Sequence, residues 1–183
     1  STTPGCKIPA AGIARGGTWA SSYWISTSRS AFEAKAQELF DEQKRRIIWA
    51  STYVENGKRR WVGIARAGDW ANSFWISAGR VAFEKKAQQL FDEHGRRLVH
   101  VYSYLQGSTR YFMGIAHAGT WASSYWASAN RADFEKHTQQ LFDEQGRRLT
   151  YTYSRTTRHA ANARLAEQLA SLAGAGFERV HLT

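Results

Sequence analysis

Apolar residues recur along this chain in two rhythms. Phe32, Ala36, Leu39 and Phe40 stand at i, i+4, i+7 and i+8, the spacing that lines one face of a helix. The stripe returns as Phe83, Ala87, Leu90 and Phe91, and again as Phe134, Thr138, Leu141 and Phe142, so three helices are predicted with these faces in the core. Ser28, Gly79 and Asn130 are acceptable N-caps, each followed by an arginine, and Gly95 and Gly146 suit left-handed C-cap positions. Lys44 holds the same place after the first helix and costs about 1 kcal/mol if that conformation is kept. The second rhythm is strand-like. Ile47 to Tyr53, Leu98 to Tyr104 and Leu149 to Tyr153 follow the helices, and short apolar runs stand at Ala11 to Arg15, Val62 to Arg66 and Met113 to His117. Asn56-Gly57 and Gly107-Ser108 separate such runs as tight hairpin turns do.

Both rhythms belong to one longer period. Gly12 to Trp24, Gly63 to Trp75 and Gly114 to Trp126 are three versions of one stretch, each 51 positions after the last. A fixed period of this size marks a repeat architecture whose units bury their apolar faces against their neighbours. The expected layout is a flexible N-terminal arm over 1–11, repeats over 12–62, 63–113 and 114–155, and a half-repeat cap over 156–183, all in one compact domain. The expected fold is α+β. Three β-loop-α-β repeats would form a mixed, largely hairpin-linked sheet, because a crossover through a helix leaves its two strands parallel. Helices would pack on one face, and the cap would add a helix and a strand.

The formal charge of +10 invites a nucleic-acid reading until the charge is located. Much of it follows the helices, as Arg45-Arg46, Arg96-Arg97 and Arg147-Arg148, where cations complement the helix dipole and where Asp41, Asp92 and Asp143 are expected to pair with them. A single cysteine, Cys6, excludes an internal disulfide, and no apolar run approaches the roughly 20 residues of a membrane span.

The run Gly95 to Tyr104, the hairpin after it, the Tyr-Phe-Met-Gly-Ile-Ala strand and the helix-to-glycine spacing resemble the bacterial tandem repeat domain of about fifty residues. The resemblance covers roughly Gly12 to Ser154. In that family the repeats occur alone or beside serine hydrolases of the β-lactamase type, and similar repeats lie on the N-terminal side of fungal polyglycine hydrolases. The resemblance therefore implies a module outside the cell, able to act alone or to target a hydrolase. The hydrolase's own chemistry is missing, since neither Ser-x-x-Lys nor Gly-x-Ser-x-Gly occurs.

Six histidines, His94, His100, His117, His137, His159 and His181, show no zinc spacing, and the adjacent carboxylates Asp41-Glu42, Asp92-Glu93 and Asp143-Glu144 point apart on a helix. No enzyme, metal or cofactor is expected. The aromatic segments are the richer signal, since they hold six of the eight tryptophans among small polar residues. One reading puts those tryptophans in the core; the other makes three shallow sites in which a ring stacks on a ligand while polar groups bond to it. The expected sites are Arg15, Trp19, Tyr23 and Trp24; Arg66, Asp69, Trp70 and Trp75; and His117, Trp121, Tyr125 and Trp126. A multivalent glycan or cell-surface polysaccharide suits such sites best. A protein partner and, less well supported, a nucleic acid are the alternatives, and insertion into a membrane is not expected.

Overall fold

The computed structural model describes residues 17–150 apart from Ala129. The N-terminal arm, the strand expected at Ala11 to Arg15, the candidate site residue Arg15, the last part of the third post-helix strand and the C-terminal cap lie outside the described residues. In chain order the elements are β1 (Ser21–Ser26), α1 (Arg29–Gln43), β2 (Arg45–Glu55), β3 (Lys58–Ala67), β4 (Asn72–Ala78), α2 (Arg80–His94), β5 (Arg96–Gln106), β6 (Thr109–Ala118) and α3 (Arg131–Gln145). The class is α+β.

Local chemistry sets the helix bounds. The Ser28 hydroxyl accepts from the Ala31 amide at 3.2 Å and the Asn130 side-chain Oδ1 from the Asp133 amide at 2.9 Å, while Gly79 starts α2 without a side-chain cap. All three helices stop at a left-handed residue, Lys44 (φ 52°), Gly95 (φ 59°) or Gly146 (φ 61°), whose amide turns back onto the last turn.

The expected mixed sheet is not what forms. Two separate three-stranded sheets, in the orders β1-β3-β2 and β4-β6-β5, are antiparallel throughout. The crossover does leave β1 and β2 running the same way, but β3 lies between them and opposes both. The segment read as an aromatic loop is an edge strand, β1 or β4. The strands that open the second and third sequence repeats are the middle strands of the sheets before them. Asn56 (φ 50°) and Gly57 (φ 73°) make the turn that delivers β3 to that place, and Gly107 (φ 61°) does the same for β6. The second sheet copies the first, since Ser22 pairs with Ala65 where Ser73 pairs with Ala116, and both carry a register shift, at Ile47/Trp49 and Leu98/His100.

The first two helices each pack on their own sheet and also meet the next unit. Phe32, fully buried, stacks on Trp24 at 5.2 Å and takes Phe74 of β4 edge-on at 5.6 Å, so α1 is held between the two sheets. Phe83 repeats this with Trp75 at 5.3 Å and Tyr125 at 5.8 Å. Beside the helix the sheets touch directly: a His100 ring nitrogen lies 2.7 Å from the Ala50 carbonyl, and the Tyr102 hydroxyl donates to the Thr52 carbonyl at 2.7 Å. Burial drives the His100 pKa down to about 4, against the partial opposition of that hydrogen bond.

The stripes are only partly core. Phe32, Leu39, Phe83, Leu90 and Leu141 are buried, but Phe40, Phe91 and Phe142 are exposed. An arginine lies over each exposed ring, Arg46 at 5.1 Å, Arg97 at 5.2 Å and Arg148 at 5.2 Å, so the eighth position of the stripe holds a cation rather than a neighbouring element.

Candidate ligand-binding site

The two tryptophans of each aromatic segment part company. Trp24 is 8% exposed and sits over Gly63, where a Cβ would come within 2.4 Å of its ring. Trp75 covers Gly114 at the same distance. Trp126 stacks on Phe134 at 5.4 Å as Trp24 does on Phe32. Trp24 and Trp75 close the helix over its sheet, so their rings are given to packing where a ligand-facing role was expected, whereas Trp126 packs on Phe134 and also lines a cavity with Leu141 and Leu149. Tyr125 packs in the joint against Phe83, where burial, aided by the Glu84 charge and opposed by Arg80, raises its hydroxyl pKa. Tyr23, at the corresponding place in the first unit, is 66% exposed.

The first tryptophans form a row at the rim. Trp19 and Trp121 are each 47% exposed, and Trp70 is partly buried. The Arg66 guanidinium lies 5.5 Å from the Trp19 ring and 5.1 Å from the Trp70 ring, and the His117 ring lies 5.5 Å from Trp70. Arg66 thus reaches the tryptophan of its own segment and that of the segment before, joining two sites that were expected to be separate, while His117 stands with Trp70 of the segment before its own. Asp69 is exposed beside the row. His117 is biased toward its neutral form first by burial and then by the Arg66 charge, against a hydrogen bond with the Ile47 backbone.

What the sequence reading missed is the work of the paired arginines. Arg46 donates from Nε to the Trp70 carbonyl at 2.5 Å and from Nη1 to Lys44 at 2.8 Å, with its plane 6.0 Å from the Trp70 ring. Arg97 does the same for the Trp121 and Gly95 carbonyls, also 6.0 Å from the Trp121 ring. The other arginine of each pair staples the edge strand. Arg45, Arg96 and Arg147 donate to the Ser21, Asn72 and Ser123 carbonyls at 3.2, 2.9 and 3.2 Å, and to the Ser22, Ser73 and Ser124 hydroxyls. The expected pairing with Asp41, Asp92 and Asp143 does not form, because those carboxylates accept instead from Gln37, Gln88 and Gln139 one helical turn back. Arg-Arg recurring at the same period as the tryptophans was the available signal.

Among the described residues no group of His, Cys, Asp or Glu could hold a metal ion, and no helix is long and apolar enough to cross a membrane. Comparison of the chain with family models, with curated proteins and with solved structures found no match.

Proposed function

We propose that the chain is a non-catalytic tandem-repeat binding protein whose ligand is a carbohydrate, met outside the cell and bound through the row Trp19, Arg66, Trp70, His117 and Trp121. The observation that carries this is the half-exposure of Trp19 and Trp121, large rings held at a rim among cations, where Trp24, the second tryptophan of the first segment, is packed away. An indole face suits the C–H face of a sugar ring, and Arg66 and Asp69 supply a donor and an acceptor for its hydroxyls. Arg66 joins the Trp19 and Trp70 positions, which supports a surface on which a polymer spanning several rings gains over a single sugar by effective concentration.

The basic charge does not argue for nucleic acid as its total suggests, since Arg45, Arg46, Arg96, Arg97 and Arg147 already donate to carbonyls and hydroxyls of the fold. The test is a glycan array with monovalent and polymeric forms of each hit, repeated with Trp19→Ala and Trp121→Ala. Loss of polymer binding in folded variants supports the reading. Unchanged binding in both, or tight binding of single-stranded DNA at physiological salt, overturns it.

A further inference from the structure

Most arginines of the described residues are committed to the fold. Arg29, Arg80 and Arg131 pair with the glutamate one helical turn on, Arg60 pairs with Glu55, and those that follow the helices, from Arg45 to Arg147, donate to carbonyls and hydroxyls. Arg59 and Arg110 donate to the Thr52 and Ser103 hydroxyls. Among the described residues, Arg66 and Arg148 alone have neither an ion pair nor a hydrogen-bond acceptor. Arg148 is the counterpart of Arg46 and Arg97, which donate into the segment that follows them, and the segment after Arg148 lies outside the described residues. Arg66 is the one with its surroundings on view.

Those surroundings concentrate positive charge. Register places Arg46 of β2 directly opposite Arg66 of β3, and both guanidinium groups lie over the Trp70 ring, at 6.0 and 5.1 Å. Like charges opposite one another on a sheet repel. No carboxylate relieves them: Arg46 is turned to the Trp70 and Lys44 carbonyls, and Asp69, exposed beside Trp70, pairs with neither. The second sheet removes this repulsion by substitution, since the same register sets Arg97 opposite His117. Burial biases that imidazole toward its neutral form, so the second rung carries one charge where the first carries two.

The Trp19 and Trp70 contacts engage the guanidinium through the ring faces, 5.5 and 5.1 Å away, and use none of its N–H groups. Its fork of donors is held beside a half-exposed indole with nothing to donate to, and a carboxylate or a sulfate ester accepts such a fork through two oxygens at once. We infer that the polysaccharide is an acidic one, whose carboxylate or sulfate group seats on Arg66 while a sugar face lies on Trp19. The inference rests on the carbohydrate reading of the row and adds the charge of the ligand. The bound anion offsets the repulsion between Arg66 and Arg46, a gain that an uncharged sugar does not bring. The rung at His117 and Trp121 gives no such preference, so the acidic residue of the polymer is read at one end of the row.

The test is calorimetric titration of the full chain at physiological salt with matched polymers: polygalacturonate and alginate against their carboxyl-reduced forms, and dextran sulfate against dextran. The parent should bind the acidic member of a pair roughly tenfold or more tightly than its neutral partner, and the pair that shows this tells carboxylate from sulfate. Arg66→Gln should bring the two members within about twofold of each other. Arg66→Lys, which keeps the charge but not the fork, should lose an intermediate share of the preference, and it carries the test if Arg66→Gln does not fold. Lys58→Gln is the control for attraction to any polyanion, since Lys58 is exposed at the start of the same strand, about 26 Å from Arg66, and should leave the preference intact. Equal loss in Lys58→Gln and Arg66→Gln overturns the inference. So does a parent that binds acidic and neutral members alike, which leaves the carbohydrate reading standing; a parent that binds none of these polymers and nothing on the glycan array takes both down.

Discussion

Two rows of tryptophan run through this protein on one motif, and they do opposite things. Trp24, Trp75 and Trp126 stack on Phe32, Phe83 and Phe134 inside the layers, whereas Trp19, Trp70 and Trp121 stand at the rim. The two members of a segment are five positions apart, and each row keeps the same period, so neither spacing nor residue type separates them. Their surroundings do. Trp24 and Trp75 close over a glycine of a strand that arrives from the following unit, while rim tryptophans fold back over a glycine two residues before them, Gly17, Gly68 or Gly119, and take a cation beside the ring. The lesson is that burial of a large ring depends on whether a distant strand reaches it.

The contrast breaks most visibly when a ring is removed. Trp75→Ala leaves a hole against Phe83 and Gly114 and is expected to cost about 3–5 kcal/mol in chemical denaturation. An inner-row loss under 1 kcal/mol would erase the distinction between the rows.

The contact between sheets gives the next effect. His100 takes up its proton near pH 4 when folded and near 6.5 when unfolded, so between those values the unfolded chain binds the proton first. Its contribution is complete above about pH 6.5 and is lost on acidification toward 4, by on the order of 3 kcal/mol. Denaturation midpoints of the parent and His100→Gln, compared at pH 7 and 4.5, check this: the parent should lose more stability than the variant.

Arg96→Ala removes donors to Asn72 and Ser73 from a half-buried site and is expected to cost roughly 1.5–3 kcal/mol, more than a surface ion pair is worth. Arg96→Lys should recover only part of it, since a single ammonium cannot reproduce the guanidinium fork. Smallest is Trp19→Ala. Its loss of a rim cation–π contact should change stability by about 1 kcal/mol or less while abolishing its share of ligand binding, which calorimetric titration with the polymer reads directly.

The helices, their caps and the two hairpins were legible because each is decided within a few residues: Ser28 meets the amide of Ala31, and Asn56-Gly57 needs only its own backbone. Sheet order was not. Trp24 pairs with Gly63, a partner in the following repeat, and the crossover rule that promised parallel neighbours says nothing of a third strand entering between them. The candidate site was half legible for the same reason. Trp19, Arg66, Trp70 and His117 are brought together at the rim, whereas Trp24, Trp75, Trp126 and Tyr125 were assigned to it by period alone and are claimed by Phe32, Phe83 and Phe134.

That each sheet takes its middle strand from sequence beyond its outer two has a consequence for synthesis. When β2 leaves the ribosome, α1 is already able to form within microseconds, but Trp24 and Phe32 still have no strand beneath them. At roughly 5–20 residues per second the missing strand follows on a timescale of about a second, and the same delay returns when β5 waits for β6. The nascent chain therefore closes its sheets one at a time in the order of translation, each completed by the opening strand of its successor.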